Sequence, residues 1–162
     1  MTIAVGERLP EATLTVMTDS GPATRSSVEL LGIGRSVLFA VPGAFTPTCS
    51  AQHLPGFIER AAELRQAGVN RIVCVAVNDI FVMQAWAQAV GVEDEITMAA
   101  DGNGEFTRAL GLEMDASGFG MGQRSQRFAM VIEDGVVRHL LVEQPGEFRV
   151  SSAESVLQHL KG

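Results

Sequence analysis

The sequence predicts an α/β protein whose central mixed β-sheet is flanked by helices, and three observations carry this prediction. Continuous apolar runs at residues 36–41 and 71–77 are typical of strands covered on both faces. Helix-like stretches alternate with these runs. Asp134-Gly135 separates two further apolar runs and indicates an antiparallel hairpin. The length of 162 residues suits one domain, which we expect to span residues 1–162.

Strands are predicted wherever apolar side chains alternate or run without a break. A turn is predicted at residues 19–22, where Asp, Ser, Gly and Pro follow one another. The predicted strands cover residues 13–17, 36–41, 71–77, 96–99, 128–133 and 136–142.

Helices are predicted where apolar residues recur at helical spacing and a glycine follows. In the stretch 80–90 this spacing puts Phe81, Ala85, Trp86 and Ala89 on one side. The predicted helices are a short capped one at 26–32, then 49–67, 80–90, 105–110 and 153–160. Parallel strands linked by helices, followed by a hairpin and a last helix, predict a thioredoxin-like fold.

Charge and composition exclude several classes of function. The formal net charge is -7 and Lys and Arg do not cluster, so neither nucleic acid nor a membrane surface is an expected partner. No apolar run approaches 18 residues, and the first residues lack the layout of a signal peptide. Two cysteines do not make a disulfide framework. We therefore expect a cytoplasmic protein with reduced thiols.

Cys49 lies where the predicted buried strand 36–41 gives way to a helix. Sites in open α/β sheets form at the carboxyl ends of strands, and a helix N-terminus stabilises a thiolate there. A cysteine in this place is equally compatible with an inert packed thiol. If the cysteine is reactive, hydrogen-bond donors that are already in position must also stabilise the charge that develops on the substrate. The backbone N–H of Cys49, the Thr46 hydroxyl and an arginine from elsewhere are the candidates.

A longer pattern decides between these readings of Cys49. Residues 42–50, PGAFTPTCS, and 53–57, HLPGF, resemble the active-site signature of peroxiredoxins. The branch that they resemble most contains peroxiredoxin five and the plant type II enzymes. The likeness extends along nearly the whole chain, and its further segments lie at residues 77–86, 100–106 and 124–130.

The resemblance implies a role for each matching residue. Cys49 is the peroxidatic thiolate that becomes a sulfenic acid, and Thr46 hydrogen-bonds both the thiolate and the peroxide. Pro42 shields the sulfur from water. Arg127 lowers the thiol pKa and orients the peroxide, and Arg124 matches a second, supporting arginine. Without the resemblance, both arginines would be read as exposed charges at a strand edge. No metal, haem or flavin cofactor is implied.

His53 and Cys74 each have two interpretations. His53 follows Cys49 by four residues, so it is a possible base for the thiol, but we favour a structural or pocket-wall role. Cysteines and histidines at 49, 53, 74 and 139 match no usual zinc motif, so no metal site is expected. Cys74 is either a packed core thiol or a resolving cysteine, as in some type II enzymes.

The expected kind of reductant is inferred from a position at which this chain differs from the animal enzymes. The animal branch has a resolving cysteine near the C-terminus, where this chain has Ser151 and Ser152. We therefore expect an external thiol, either glutathione with glutaredoxin or a thioredoxin, to reduce the sulfenic acid.

The resemblance also implies a homodimer in which the glycine-rich loop 117–122 and Phe45 pack near the active site. That loop lacks the strand, helix and lysine of a phosphate-binding loop. The expected function is reduction of hydrogen peroxide and alkyl hydroperoxides. One alternative is a peroxide-sensing relay that oxidises a partner protein. A cysteine hydrolase using Cys49 and His53 is another.

Overall fold

The computed structural model describes residues 1–161, except for the side chain of Cys49. Within this part of the chain, an antiparallel pair of strands comes first, strands and helices then alternate as predicted, and further antiparallel strands follow. The strands are β1 (Thr13–Thr18), β2 (Gly21–Ser26), β3 (Arg35–Ala40), β4 (Arg71–Ala76), β5 (Thr97–Ala100), β6 (Glu113–Asp115), β7 (Gln123–Ser125), β8 (Phe128–Glu133) and β9 (Val136–Val142). The α-helices are α1 (Ser27–Leu31), α2 (Leu54–Glu59), α3 (Ala61–Gln66), α4 (Ile80–Val90), α5 (Glu105–Leu110) and α6 (Ala153–Lys161).

The main sheet is mixed and runs in the order β2-β1-β5-β4-β3-β8-β9. Strand β4 is parallel to both β3 and β5, whereas β8 is antiparallel to β3. Buried side chains of α2, α3, α4 and α6 pack on one face of the sheet, and those of α1 and α5 pack on the other. The predicted central mixed sheet with flanking helices is therefore confirmed.

Local signals of the sequence account for two of the elements. Ser26 and Glu29 form the predicted cap of α1, since each side chain accepts a hydrogen bond from the backbone N–H of the other residue. Asp134 and Gly135 have φ values of 49° and 82°, which suit the tight turn of a two-residue hairpin between β8 and β9. Both predictions are confirmed.

The predicted turn at residues 19–22 is only half correct. The chain turns at Asp19 and Ser20, but Gly21 and Pro22 already belong to β2. Proline removes a backbone donor, so the sequence argued against a strand here. Strand β2 tolerates Pro22 because it lies at the edge of the sheet and pairs with β1 alone.

The predicted helix 49–67 is interrupted twice. It begins with a π-helical segment, Cys49–His53, which is followed by α2 with Pro55 in its first turn. Arg60 then separates α2 from α3, with φ -103° and ψ 10°. The wider π-helical turn changes the spacing of side chains after residue 49, so α-helical spacing does not describe the relation of Cys49 to His53.

The side of α4 that the sequence spacing singled out is not the buried face of the helix. Phe81, Ala85 and Ala89 are exposed, and only Trp86 of that set is buried. The Asp79 side chain accepts a hydrogen bond from the Val82 N–H and caps the helix. The buried stripe of α4 consists of Ile80, Met83, Trp86 and Ala87.

One hydrogen bond connects α4 to the segment after β3. The indole N–H of the buried Trp86 donates to the Ser50 hydroxyl at 2.9 Å, which ties the π-helical segment to α4. Strands β6 and β7 form a separate two-stranded sheet that carries the glycine-rich loop. A strand does precede that loop, contrary to our expectation, but a strand and not a helix follows it. None of the helices within the described residues is long and apolar enough to cross a lipid bilayer.

Candidate active site

The loop after β3 is folded tightly upon itself at the carboxyl end of the strand. The Thr46 hydroxyl donates to the Gly43 carbonyl at 2.7 Å, and the Ala44 N–H donates to the Asn78 side chain at 2.9 Å. Phe45 has φ 65°, a left-handed conformation that is uncommon for a bulky residue. The Thr46 carbonyl accepts from the Ser50 N–H at 2.9 Å, so the turn leads directly into the Cys49–His53 segment.

Gly43 allows three neighbouring side chains to approach the loop closely. A Cβ atom at this position would lie 3.1 Å from Nη1 of Arg124, 3.2 Å from Cε of Met121 and 3.3 Å from Cγ2 of Thr46. The Arg124 Nε donates to the Met121 carbonyl at 2.9 Å. Arg124 therefore packs behind the loop, where it lines a small pocket of about 230 Å³ with Arg108 and Gln123.

A larger pocket of about 750 Å³ opens on the other side of the loop. Pro42, Thr46 and Arg127 all line it, so the structure brings together three of the residues that the sequence singled out. Apolar side chains that include Met114, Phe119 and Met121 form part of its wall. The pocket lies at the start of the Cys49–His53 segment, but the side chain of Cys49 is outside the described residues.

His53 lies behind this pocket, fully buried. Its Nε2 is 2.9 Å from the Ser151 carbonyl, and its Nδ1 is 2.9 Å from Nη1 of Arg127. A carbonyl can only accept and a guanidinium can only donate. The two partners therefore fix the tautomer, in which Nε2 carries the proton and Nδ1 accepts from Arg127.

Burial, together with the positive charge of Arg127, lowers the pKa of His53 to about 3, against the smaller opposing effects of Ser151 and Glu143. The ring is therefore neutral at neutral pH. Because its only lone pair in the ring plane already faces Arg127, it has no free nitrogen with which to take a proton. The arrangement suits a residue that holds an arginine.

Arg127 is half-buried and held from several directions. Its guanidinium carbon lies 5.9 Å from the centre of the Phe148 ring, at the distance of a cation–π contact. The same ring lies 5.0 Å from that of His53. The Arg127 carbonyl accepts from the Glu143 N–H at 3.0 Å, which fixes the backbone as well.

Glu143 is a buried acid that was not predicted from the sequence. The one sequence feature that could have indicated it is a charged residue directly after the predicted strand 136–142. Its carboxylate accepts from the N–H groups of Arg149, Val150 and Ser151 at 2.8–2.9 Å and from the Ser151 hydroxyl at 2.7 Å. Burial raises the pKa of Glu143, but these hydrogen bonds outweigh it and hold the pKa below its ordinary value.

Cys74 is fully buried in β4, in the middle of the main sheet. It lies opposite Phe39 of β3 and Met98 of β5, in the core cluster that also contains side chains of α2 and α4. His139 packs against His159 in a T-shaped arrangement, with the ring centres 5.3 Å apart. Among the described side chains, no group of three or more His, Cys, Asp or Glu is placed to hold a metal ion.

Comparisons with known proteins identify the family of this chain. Residues 4–157 match the family model described as Redoxin. Chloroplastic Peroxiredoxin-2E-2 of Oryza sativa subsp. japonica is 52% identical over 98% of this chain and 73% of its own length. The crystal structure of reduced Prx3 from Vibrio vulnificus, in complex with H2O2, has a TM-score of 0.94 and 53% identity over 98% of this chain and 99% of that one. Peroxiredoxin 5 from Alvinella pompejana has a TM-score of 0.86 and 33% identity, with 98% of each chain covered.

The buried neutral histidine predicts a particular dependence of stability on pH. The pKa of His53 is about 3 in the folded protein and about 6.5 in the unfolded chain, so between these values the unfolded state binds more protons. Stability that is present above pH 6.5 is therefore lost as the pH falls. Compared with His53→Gln, whose amide can also donate and accept, the wild type should lose roughly 2 kcal/mol more between pH 6.5 and 4.5. Urea unfolding at each pH measures this difference, and parallel curves for the two proteins would contradict it.

Proposed function

Because the chain belongs to the peroxiredoxin family, in the branch of peroxiredoxin five and the plant type II enzymes, and is a thiol-dependent peroxidase, we propose that Cys49 supplies its attacking sulfur. The observation that supports this site most directly is the pocket shared by Pro42, Thr46 and Arg127. It lies where the Cys49–His53 segment begins, at the carboxyl end of a central parallel strand.

In the proposed reaction, the Cys49 thiolate attacks one peroxide oxygen and the O–O bond breaks. Its electron pair stays on the leaving oxygen, which takes up a proton and departs as water or an alcohol. Cys49 becomes a sulfenic acid. One external thiol condenses with it and releases water, and a second thiol then reduces the mixed disulfide. Two electrons pass from the thiols to the peroxide in each cycle.

Ionisation of the sulfur explains only part of such a reaction. A thiol with a pKa of about 8.5 is a few per cent ionised at neutral pH, so complete ionisation adds roughly 30-fold, or about 2 kcal/mol. The remaining acceleration must come from donors aimed at the charge that develops on the peroxide oxygens. Arg127 suits this role because its planar guanidinium is held at Nη1 and against Phe148.

The other predicted residues receive distinct roles in this proposal. Thr46 hydrogen-bonds the thiolate and the peroxide, and its one hydroxyl proton alternates between them and the Gly43 carbonyl. Pro42 shields the sulfur from water. His53 positions Arg127 and does not act as a base. Arg124 supports the loop from behind at Gly43, at a position where it does not touch the peroxide.

We propose hydrogen peroxide and small alkyl hydroperoxides as substrates. The apolar wall made by Met114, Phe119 and Met121 offers contact for an alkyl group, and Arg127 and Thr46 offer donors for the peroxide oxygens.

The proposed reductant is an external thiol, glutathione with glutaredoxin or a thioredoxin. Cys74 is buried between Phe39 and Met98, so a disulfide with Cys49 would require the centre of the sheet to open. Because the cycle needs reduced thiols, we propose the cytoplasm as its location, which cell fractionation would test.

A homodimer is also proposed. Phe45, Phe81 and Phe119 are more than half exposed, and they lie in the loop after β3, at the start of α4 and between β6 and β7. Exposed aromatic side chains of this size are typical of contact surfaces.

The assignment of Cys49 and Arg127 predicts the outcome of a stoichiometric reaction. One equivalent of hydrogen peroxide should oxidise Cys49 in the wild type, as mass spectrometry of peptides will show, and Cys49→Ser should leave the peroxide unconsumed. Arg127→Lys keeps the charge but loses the planar donor pair, so the rate of peroxide consumption should fall on the order of 100-fold. The matched control is Arg138→Lys, on the exposed side of β9, which should keep the wild-type rate. Oxidation at Cys74 alone, or an unchanged rate in Arg127→Lys, would contradict the assignment.

The burial of Cys74 predicts that it is dispensable for turnover. Cys74→Ser should retain, within about twofold, the steady-state rate with glutaredoxin and glutathione or with thioredoxin, because the external thiol reaches the Cys49 sulfenic acid directly. Loss of all thioredoxin-linked turnover in this variant would identify Cys74 as a resolving cysteine.

The exposed aromatic residues predict a specific effect on assembly. At micromolar concentration the wild type should sediment as a dimer, and Phe119→Ser should weaken association at least tenfold because it removes apolar contact area. Ile33→Ser serves as the control, since Ile33 is equally exposed in the loop before β3. A monomer mass for the wild type would rule out the dimer.

A further inference from the structure

We propose that Glu143 is a positioning residue that sets the place of Arg127 through a buried chain of hydrogen bonds. This inference rests on the proposed role of Arg127. Glu143 also lines the pocket, but the inference assigns it no contact with the sulfur or the peroxide. Three contacts support this inference, and each joins residues that are not neighbours in the sequence.

The first contact gathers the segment 149–151 around one carboxylate. Glu143 accepts from three consecutive backbone N–H groups and from the Ser151 hydroxyl, all at 2.7–2.9 Å. The side chain is only 6% exposed, so water does not compete strongly for these bonds. Four donors on one carboxylate fix the path of the segment, including the direction of the Ser151 carbonyl.

The second contact transmits this position to the ring of His53. The Ser151 carbonyl accepts from Nε2 of His53 at 2.9 Å, and Nδ1 of the same ring accepts from Arg127. Without a carbonyl at that place, a proton on Nε2 would be buried without this acceptor, and the tautomer that accepts from Arg127 would lose one of its two supports. In the other tautomer, Nδ1–H would face a guanidinium that can only donate. The direction of the Ser151 carbonyl therefore decides whether the ring can hold Arg127.

The third contact reaches Arg127 by a separate path within the same segment. Phe148 directly precedes the clamped residues, and its ring packs against both the His53 ring and the guanidinium of Arg127. Charged and titratable groups near the carboxylate include His53, Arg127 and Arg149. Nε of Arg149 forms an ion pair with the Glu147 carboxylate at 2.7 Å. Glu143 is the group among them that accepts from the backbone N–H groups of the segment, whereas His53 binds its Ser151 carbonyl.

The test compares Glu143→Gln with Glu154→Gln, which removes an exposed carboxylate from the first turn of the neighbouring helix α6. An amide cannot accept four hydrogen bonds, so the segment should shift in Glu143→Gln. A displacement of about 1 Å near a reacting group can slow a reaction by 100-fold, so we expect the second-order rate with hydrogen peroxide to fall at least tenfold. Glu154→Gln should stay within twofold of the wild type, and Glu143→Asp, which restores a carboxylate, should recover part of the rate.

A double-mutant cycle separates positioning from general destabilisation. If Glu143 acts through Arg127, adding Glu143→Gln to Arg127→Lys should slow the reaction less than twofold further. An equal additional loss in that background, or an unchanged rate in Glu143→Gln alone, would overturn the inference. If Arg127→Lys itself has no effect, the proposed function of Arg127 fails instead. Should Glu143→Gln not fold, Ser151→Ala removes one of the four donors and goes through the same cycle with the same criteria.

Discussion

The site depends on one constraint. A buried, neutral imidazole must lie between a group that can only accept a hydrogen bond and a group that can only donate one. His53 meets this condition with the Ser151 carbonyl on one side and the Arg127 guanidinium on the other. A charged ring would face Arg127 with a second positive charge in a buried place, where like charges are strongly destabilising. The neutral ring thus allows a permanently charged arginine to be held at the edge of the pocket.

The fold supports this constraint by fixing the elements on either side of it. Trp86 holds the start of the Cys49–His53 segment through Ser50, and Asn78 holds the loop before it through Ala44. Phe45 keeps a left-handed backbone conformation in that loop, which costs on the order of 1–3 kcal/mol and must be offset by such contacts. The pocket is consequently built on fixed backbone, and its donors need little rearrangement to meet a substrate.

The sequence predicted those features that depend on neighbouring residues. Continuous apolar runs located β3 and β4, and Asp134-Gly135 located the hairpin. The missed features depend on distant contacts. Pro22 is tolerated because β2 is an edge strand, and the buried face of α4 is the one that packs against the sheet. Arg127 was found through a family resemblance. Glu143 was missed because no short sequence pattern connects it to the residues that it binds, or connects His53 to Ser151.

The most direct test of this account is to observe the protonation of the His53 ring itself. Nitrogen-15 chemical shifts of the two ring nitrogens, recorded from pH 5 to pH 8 and assigned with His53→Gln, distinguish the charged ring and both neutral tautomers. The account predicts a neutral ring with the proton on Nε2 across the whole range. A ring that gains a proton near pH 6.5, or one that carries its proton on Nδ1, would contradict it, because neither form can accept a hydrogen bond from Arg127.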